Sequence, residues 1–63
     1  VKEIIIGNER MAVNGNVTIE EAMLSFGRYP DAFLYLLDGR PIPMTTPITD
    51  GMSVEALRVA SGG

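Results

Sequence analysis

The chain opens on an apolar, β-branched run, Val1-Lys2-Glu3-Ile4-Ile5-Ile6, closed by Gly7-Asn8. Branched side chains fit a pleated surface and Gly-Asn is turn chemistry, so the run predicts a strand. Met11-Ala12-Val13 predicts its antiparallel return. A two-residue turn at Asn8-Glu9 would pair Ile6 with Met11 and Ile4 with Val13. That collects four apolar side chains on one face and leaves Ile5 and Ala12 on the other. A turn at Gly7-Asn8 would instead set Ile6 opposite Glu9, so the first register is the expectation.

The period then changes. Ile19, Ala22, Met23 and Phe26 follow the i, i+3, i+4, i+7 spacing of one helix face. Thr18 is a good N-cap, Glu21 sits where a capping box needs it, and Glu20 and Glu21 suit the positive helix end. Gly27 suits the left-handed position that follows a helix. Together they predict a helix over 19–26 and outweigh Asn14-Gly15, a hairpin signal that falls in the lead-in loop 14–17. Residues 28–31 read as a linker, because Pro30 drives Tyr29 out of helical geometry. Ala32-Phe33-Leu34-Tyr35-Leu36-Leu37 is apolar throughout and ends at Asp38-Gly39, a type I′ turn pair. Arg40-Pro41-Ile42-Pro43 can form only a brief edge strand, since each proline removes a ladder donor. Residues 44–49 read as an irregular loop anchored by Ile48. Asp50-Gly51 then turns the chain into a last strand over 53–59.

The element order is therefore ββαβ(β)β, with no repeat and no internal boundary. With the first and last strands adjacent and parallel, the helix covers one face of a mixed sheet of four to five strands. This is an α+β, β-grasp (ubiquitin-like) arrangement. A split βαβ alternative needs a second helix, which Pro41, Pro43 and Pro47 forbid. The expected division is a domain over 1–59 and a tail over 60–63.

Composition removes most chemistries. In 63 residues there is no cysteine and no histidine, so no Ser-His, Cys-His or zinc arrangement can form. No metal, no cofactor and no enzymatic site of its own is expected. Five basic against eight acidic residues give a net charge of -3. That speaks against nonspecific nucleic-acid binding and suits, mildly, docking on a basic partner. The lack of cysteine, of a leader pattern and of an apolar run near 20 residues leads to an expectation of a cytoplasmic protein without a membrane span.

Two features remain. In a period-two reading Leu34 and Leu36 face away from Phe33, Tyr35 and Leu37, while Val54 and Ala56 face inward and put Glu55, Leu57 and Val59 outward. One helix covers one face only, so Leu34, Leu36 and Leu57 are expected to form an apolar docking patch on the open face. The chain then runs to Gly62-Gly63, a backbone without Cβ atoms that can enter a slot too narrow for side chains.

From Leu34 onward, about half of the chain resembles the ubiquitin-like sulfur carriers of the ThiS and MoaD type and the small archaeal modifier proteins. The resemblance lies in the strand Leu34-Tyr35-Leu36-Leu37, the turn Asp38-Gly39-Arg40-Pro41-Ile42-Pro43, Asp50-Gly51, Val54-Glu55 and Gly62-Gly63. The chain departs from that family at Met52, where an acidic residue is common, and at the less bulky Ala60-Ser61. The resemblance implies an ATP-dependent adenylating (activating) enzyme acting on the Gly63 carboxylate. A sulfur donor would then make a thiocarboxylate for a sulfur-accepting biosynthetic enzyme, or a target-protein lysine would capture the acyl group as an isopeptide. Lys2, the only lysine, would be the side-chain acceptor for self-linked chains. The competing expectation is a β-grasp interaction module, without catalysis, whose Gly-Gly end is incidental.

Overall fold

In the computed structural model, which describes residues 2–59, the alternating runs form five strands and the 3.6-period segment forms one helix. The elements are β1 (Glu3–Ile6), β2 (Glu9–Ala12), α1 (Ile19–Ser25), β3 (Phe33–Leu37), β4 (Arg40–Ile42) and β5 (Ser53–Arg58), with a 3-10 turn at Pro30–Ala32. They build one α+β unit whose mixed sheet has the order β2-β1-β5-β3-β4. β5 lies in the middle, parallel to β1 and antiparallel to β3. β4, carrying Pro41, is an edge as its proline demands.

The first hairpin corrects the expected register. Ile6 pairs with Glu9 and Ile4 with Met11, and the turn falls at Gly7-Asn8 rather than Asn8-Glu9. Backbone geometry decides this. Gly7 takes φ 61 at the first turn position, the II′ pattern that glycine adopts without steric cost. The slip is by two residues, which preserves parity. Ile4, Ile6 and Val13 are still buried on one face, with half-buried Met11 packed against them. Glu9, now opposite Ile6, lies exposed at the sheet end and accepts from Arg28 at 3.5 Å.

The helix start is as expected. The Glu21 amide donates to Thr18 Oγ1 at 3.2 Å, and the Thr18 amide donates to Glu21 Oε1 at 2.9 Å, a reciprocal capping box. The remaining first-turn amides find the loop after β4. Ile19 donates to the Thr46 carbonyl at 3.1 Å and Glu20 to the Met44 carbonyl at 2.9 Å. In return Ile48 donates to the Val17 carbonyl at 2.9 Å and buries its side chain, the anchor expected of it. At the other end Gly27 takes φ 77 and donates to Leu24, while Arg28 donates to Met23. These two bonds make a Schellman stop, with Phe26 as the cap rather than the last helical residue.

Ile19, Ala22 and Met23 of α1 pack with Ile48 on Ile4, Ile6, Tyr35, Val54 and Ala56 of the sheet. Residues 28–31, expected as a plain linker, run into the 3-10 turn Pro30–Ala32, which also takes Ala32 out of the expected strand. It has a purpose in the core: the buried Tyr35 hydroxyl donates to the Pro30 carbonyl at 2.7 Å. Burial above all, and then the charges of Asp31 and Glu20, push the Tyr35 pKa from 10.0 up to about 12. The folded state therefore holds this proton more tightly than the unfolded chain does. The resulting stability is complete below pH 10 and is lost as pH rises towards 12. Tyr35→Phe is expected to cost about 0.5–1.5 kcal/mol at neutral pH, because one buried hydrogen bond is lost while the Pro30 carbonyl keeps the Phe33 amide as its other donor. It should also flatten the alkaline decline, so the gap between the two proteins narrows with pH. Urea denaturation of both at pH 8 and 11 reads this; an equal gap at the two pH values would contradict it.

Candidate functional site

The site begins with alternation on the central strand. Along β5 Val54 and Ala56 are buried, whereas Ser53, Glu55 and Leu57 are exposed on the face away from α1. β3 contributes Leu34 and Leu36 to that same face, because Tyr35 between them is buried under the helix. In the antiparallel register Leu34 lies directly across from Leu57, and Leu36 across from Glu55. Facing side chains on an antiparallel pair are in contact range, so Leu34 and Leu57 form a cross-strand pair.

Of the three leucines expected to dock a partner, two are open: Leu34 is 43% and Leu57 46% exposed, with Val59 just beyond at 44%. Leu36 is half-buried, set between Glu55 of β5 and Pro41 of the edge strand. The patch thus centres on Leu34 and Leu57, and Leu36 forms its border towards β4. Ile5 joins it from β1, opposite Glu55 and half-buried. It was legible from the parity of the first strand but was not counted with the leucines.

Glu55 is the acidic centre of this face, flanked by Ile5 and Leu36. Towards the start of the strands the face becomes polar. Glu3 accepts from the Ser53 hydroxyl at 2.7 Å and lies 3.9 Å from Arg10. The open side is therefore apolar where β5 ends and charged where it begins. Val59 continues the line of β5, its amide donating to the Ala32 carbonyl at 3.0 Å. Gly62 and Gly63, the residues expected to carry the chemistry, lie outside the described residues. Lys2 is placed: its Nζ donates to the Gly15 carbonyl at 2.8 Å, beside the loop that leads into α1.

Sequence reasoning missed a basic recess on the opposite side of the same sheet end, lined by Arg28, Phe33 and Arg58. The signal was present. Continuing the inward row Val54, Ala56 by two residues puts Arg58 on the helix side. Among the described residues no group of three or more His, Cys, Asp or Glu could hold a metal ion. No helix there is long and apolar enough to cross a membrane. Compared with protein-family models, curated proteins and solved structures, the chain matches none.

The patch carries little of the stability. Leu34→Ala and Leu57→Ala are each expected to cost less than about 1 kcal/mol, because so much of each side chain is already in water. Ile48→Ala should cost about 2–5 kcal/mol, as it leaves a cavity and loosens the carbonyls that cap α1. Urea denaturation of the three variants tests the contrast, and equal losses at Leu34 and Ile48 would show the patch to be part of the core.

Proposed function

We propose that the chain is a β-grasp, ubiquitin-like domain that serves as a substrate protein, its Gly63 carboxylate being the reactive group. In this reading an activating enzyme binds the Leu34–Leu57 face, and the residues after Val59 lead into its nucleotide site. A carboxylate oxygen attacks the α-phosphate of ATP and pyrophosphate leaves. A sulfur nucleophile then displaces AMP to give a thiocarboxylate, or a lysine amine displaces it to give an isopeptide. The domain supplies position and a handle, and the bound geometry makes the step effectively unimolecular.

The observation that supports this best is the exposed leucine pair on the last rungs of the central strand, immediately before the glycine-ended segment. The sheet order, with its parallel outer-sequence strands in the centre and a single helix on one face, supports the β-grasp reading. Residues 60–63 reach about 13 Å when extended, enough to pass from the sheet end into a covered site.

The test is ATP–pyrophosphate exchange with a cognate activating enzyme. Three forms are compared: the intact chain, the chain lacking Gly62-Gly63, and Leu34→Glu. Intact mass of the natural protein establishes in the same experiment that Gly63 bears the terminal carboxylate. Truncation should abolish exchange and leave the melting curve unchanged, and Leu34→Glu should raise the KM for the carrier roughly tenfold or more with little effect on Tm. A truncated form that exchanges as fast as the intact one would reject the reading in favour of an interaction module. For conjugation, Lys2→Arg should remove side-chain-linked polymers and leave only those joined through the amino terminus, as tryptic mass spectrometry would read.

A further inference from the structure

Two arginines are brought together at the sheet end by backbone features with nothing else in common. Arg58 faces Phe33 across β5 and β3, one inward position beyond the buried Ala56–Tyr35 pair. Arg28 is fixed there by the Schellman stop, its amide donating to the Met23 carbonyl at 3.0 Å. With Phe33 they line two adjoining hollows of about 280 and 200 Å³. Ile6, Gly7, Ala56 and Leu57 wall the first, and Tyr29 and Ala32 the second.

The guanidinium groups are only lightly engaged. Arg28 makes one contact with Glu9, at 3.5 Å, between two solvent-exposed side chains, and such pairs contribute little. Arg58 has no ion pair among the described residues. Each guanidinium therefore keeps most of its five planar donors, the fork that matches a carboxylate or a phosphate. Here the local charge is opposite in sign to that of the whole chain, which is -3.

We propose that this recess seats a carboxylate side chain from an acidic segment of a partner protein. Phe33 and Ala32 offer apolar walls to the methylene stem of a glutamate, while Arg28 and Arg58 take its head. The negative net charge disfavours capture of a free polyanion from solution, so the anion arrives on a surface that makes other contacts as well. This site goes beyond the activation of Gly63: Phe33 and Arg58 face the helix side, with Leu57 of the patch bordering only the first hollow, and it can be tested without any activating enzyme.

The experiment is an NMR titration of the ¹⁵N-labelled protein, following the arginine Nε–Hε signals at low salt. The probe is a blocked Glu-Leu-Glu peptide, with inorganic phosphate in a parallel series. Arg28 and Arg58 should shift saturably and in step, with Phe33 following, while Arg10 and Arg40 stay in place. Arg58→Gln and Arg28→Gln should each weaken the peptide at least fivefold, and Arg40→Gln should leave it unchanged. The side chains of Arg28 and Arg58 both reach solvent, so the variants should keep their amide spectra. Equal shifts at all four arginines, or unchanged affinity in both recess variants, would overturn the proposal. Phosphate binding more tightly than the peptide would also overturn it and make the recess a phosphate site.

Discussion

The parallel pairing of β1 with β5 is the constraint on which the rest depends. It aligns Ile4 with Val54 and Ile6 with Ala56, all buried, across nearly the whole length of the chain. Parallel neighbours cannot be joined by a tight turn, so everything between them has to cross over. α1 lies within that connection and covers the face where the four side chains project. A single helix has no counterpart for the opposite face, and β5 sends Glu55 and Leu57 there by simple alternation. The open leucine face is thus a consequence of the same pairing that makes the core.

Holding α1 in place is a separate matter. Seven residues make too short a helix to be stable alone in water, so its position depends on tertiary contacts. The loop after β4 provides them in two forms, carbonyls for the first-turn amides and Ile48 for the core. The prolines in 41–47 have two effects. They stop β4 from growing into a long, adhesive edge, and they leave the following backbone irregular enough to meet a helix terminus. Loss of Ile48 would therefore act on both the packing and the cap.

Legibility in the sequence followed the range of the interaction. The capping box at Thr18 and Glu21, the stop at Gly27 and the turn at Asp38-Gly39 depend on neighbours within a few positions and were readable. Asp38 even accepts φ 53, which the I′ turn requires of a residue other than glycine. Burial faces were readable too, because alternation fixes parity. The register of the first hairpin was not, since matching apolar residues says nothing about the backbone torsion that Gly7 supplies. The 3-10 turn at Pro30 was hidden for a similar reason: besides its own backbone bonds it is tied to the hydroxyl of Tyr35, in the next strand. At the candidate site, parity foretold the outward leucines but not their unequal exposure. Leu36 is shielded by what lies beside it, the edge strand bearing Pro41.

The arginine recess shows where alternation carries chemistry past the end of the core. An inward position normally asks for an apolar residue, and a charge placed there has to reach water or a partner. At Arg58 the strand has run beyond Ala56, the last buried residue of β5, so the guanidinium emerges beside the helix stop instead of being buried. The last two rungs of β3 and β5 therefore offer different chemistry on the two faces: Leu34 and Leu57 away from the helix, Phe33 and Arg58 beside it, with Arg28 added from the helix stop. If the proposal holds, a partner meeting only the open side would be selected by apolar area, while one that clasps the sheet end would also have to bring an acid to the helix side. Apolar area adds affinity with little discrimination, whereas a misplaced or absent charge is penalised strongly. On the proposed reading, the leucines would hold a partner and the arginines would decide which partner is held.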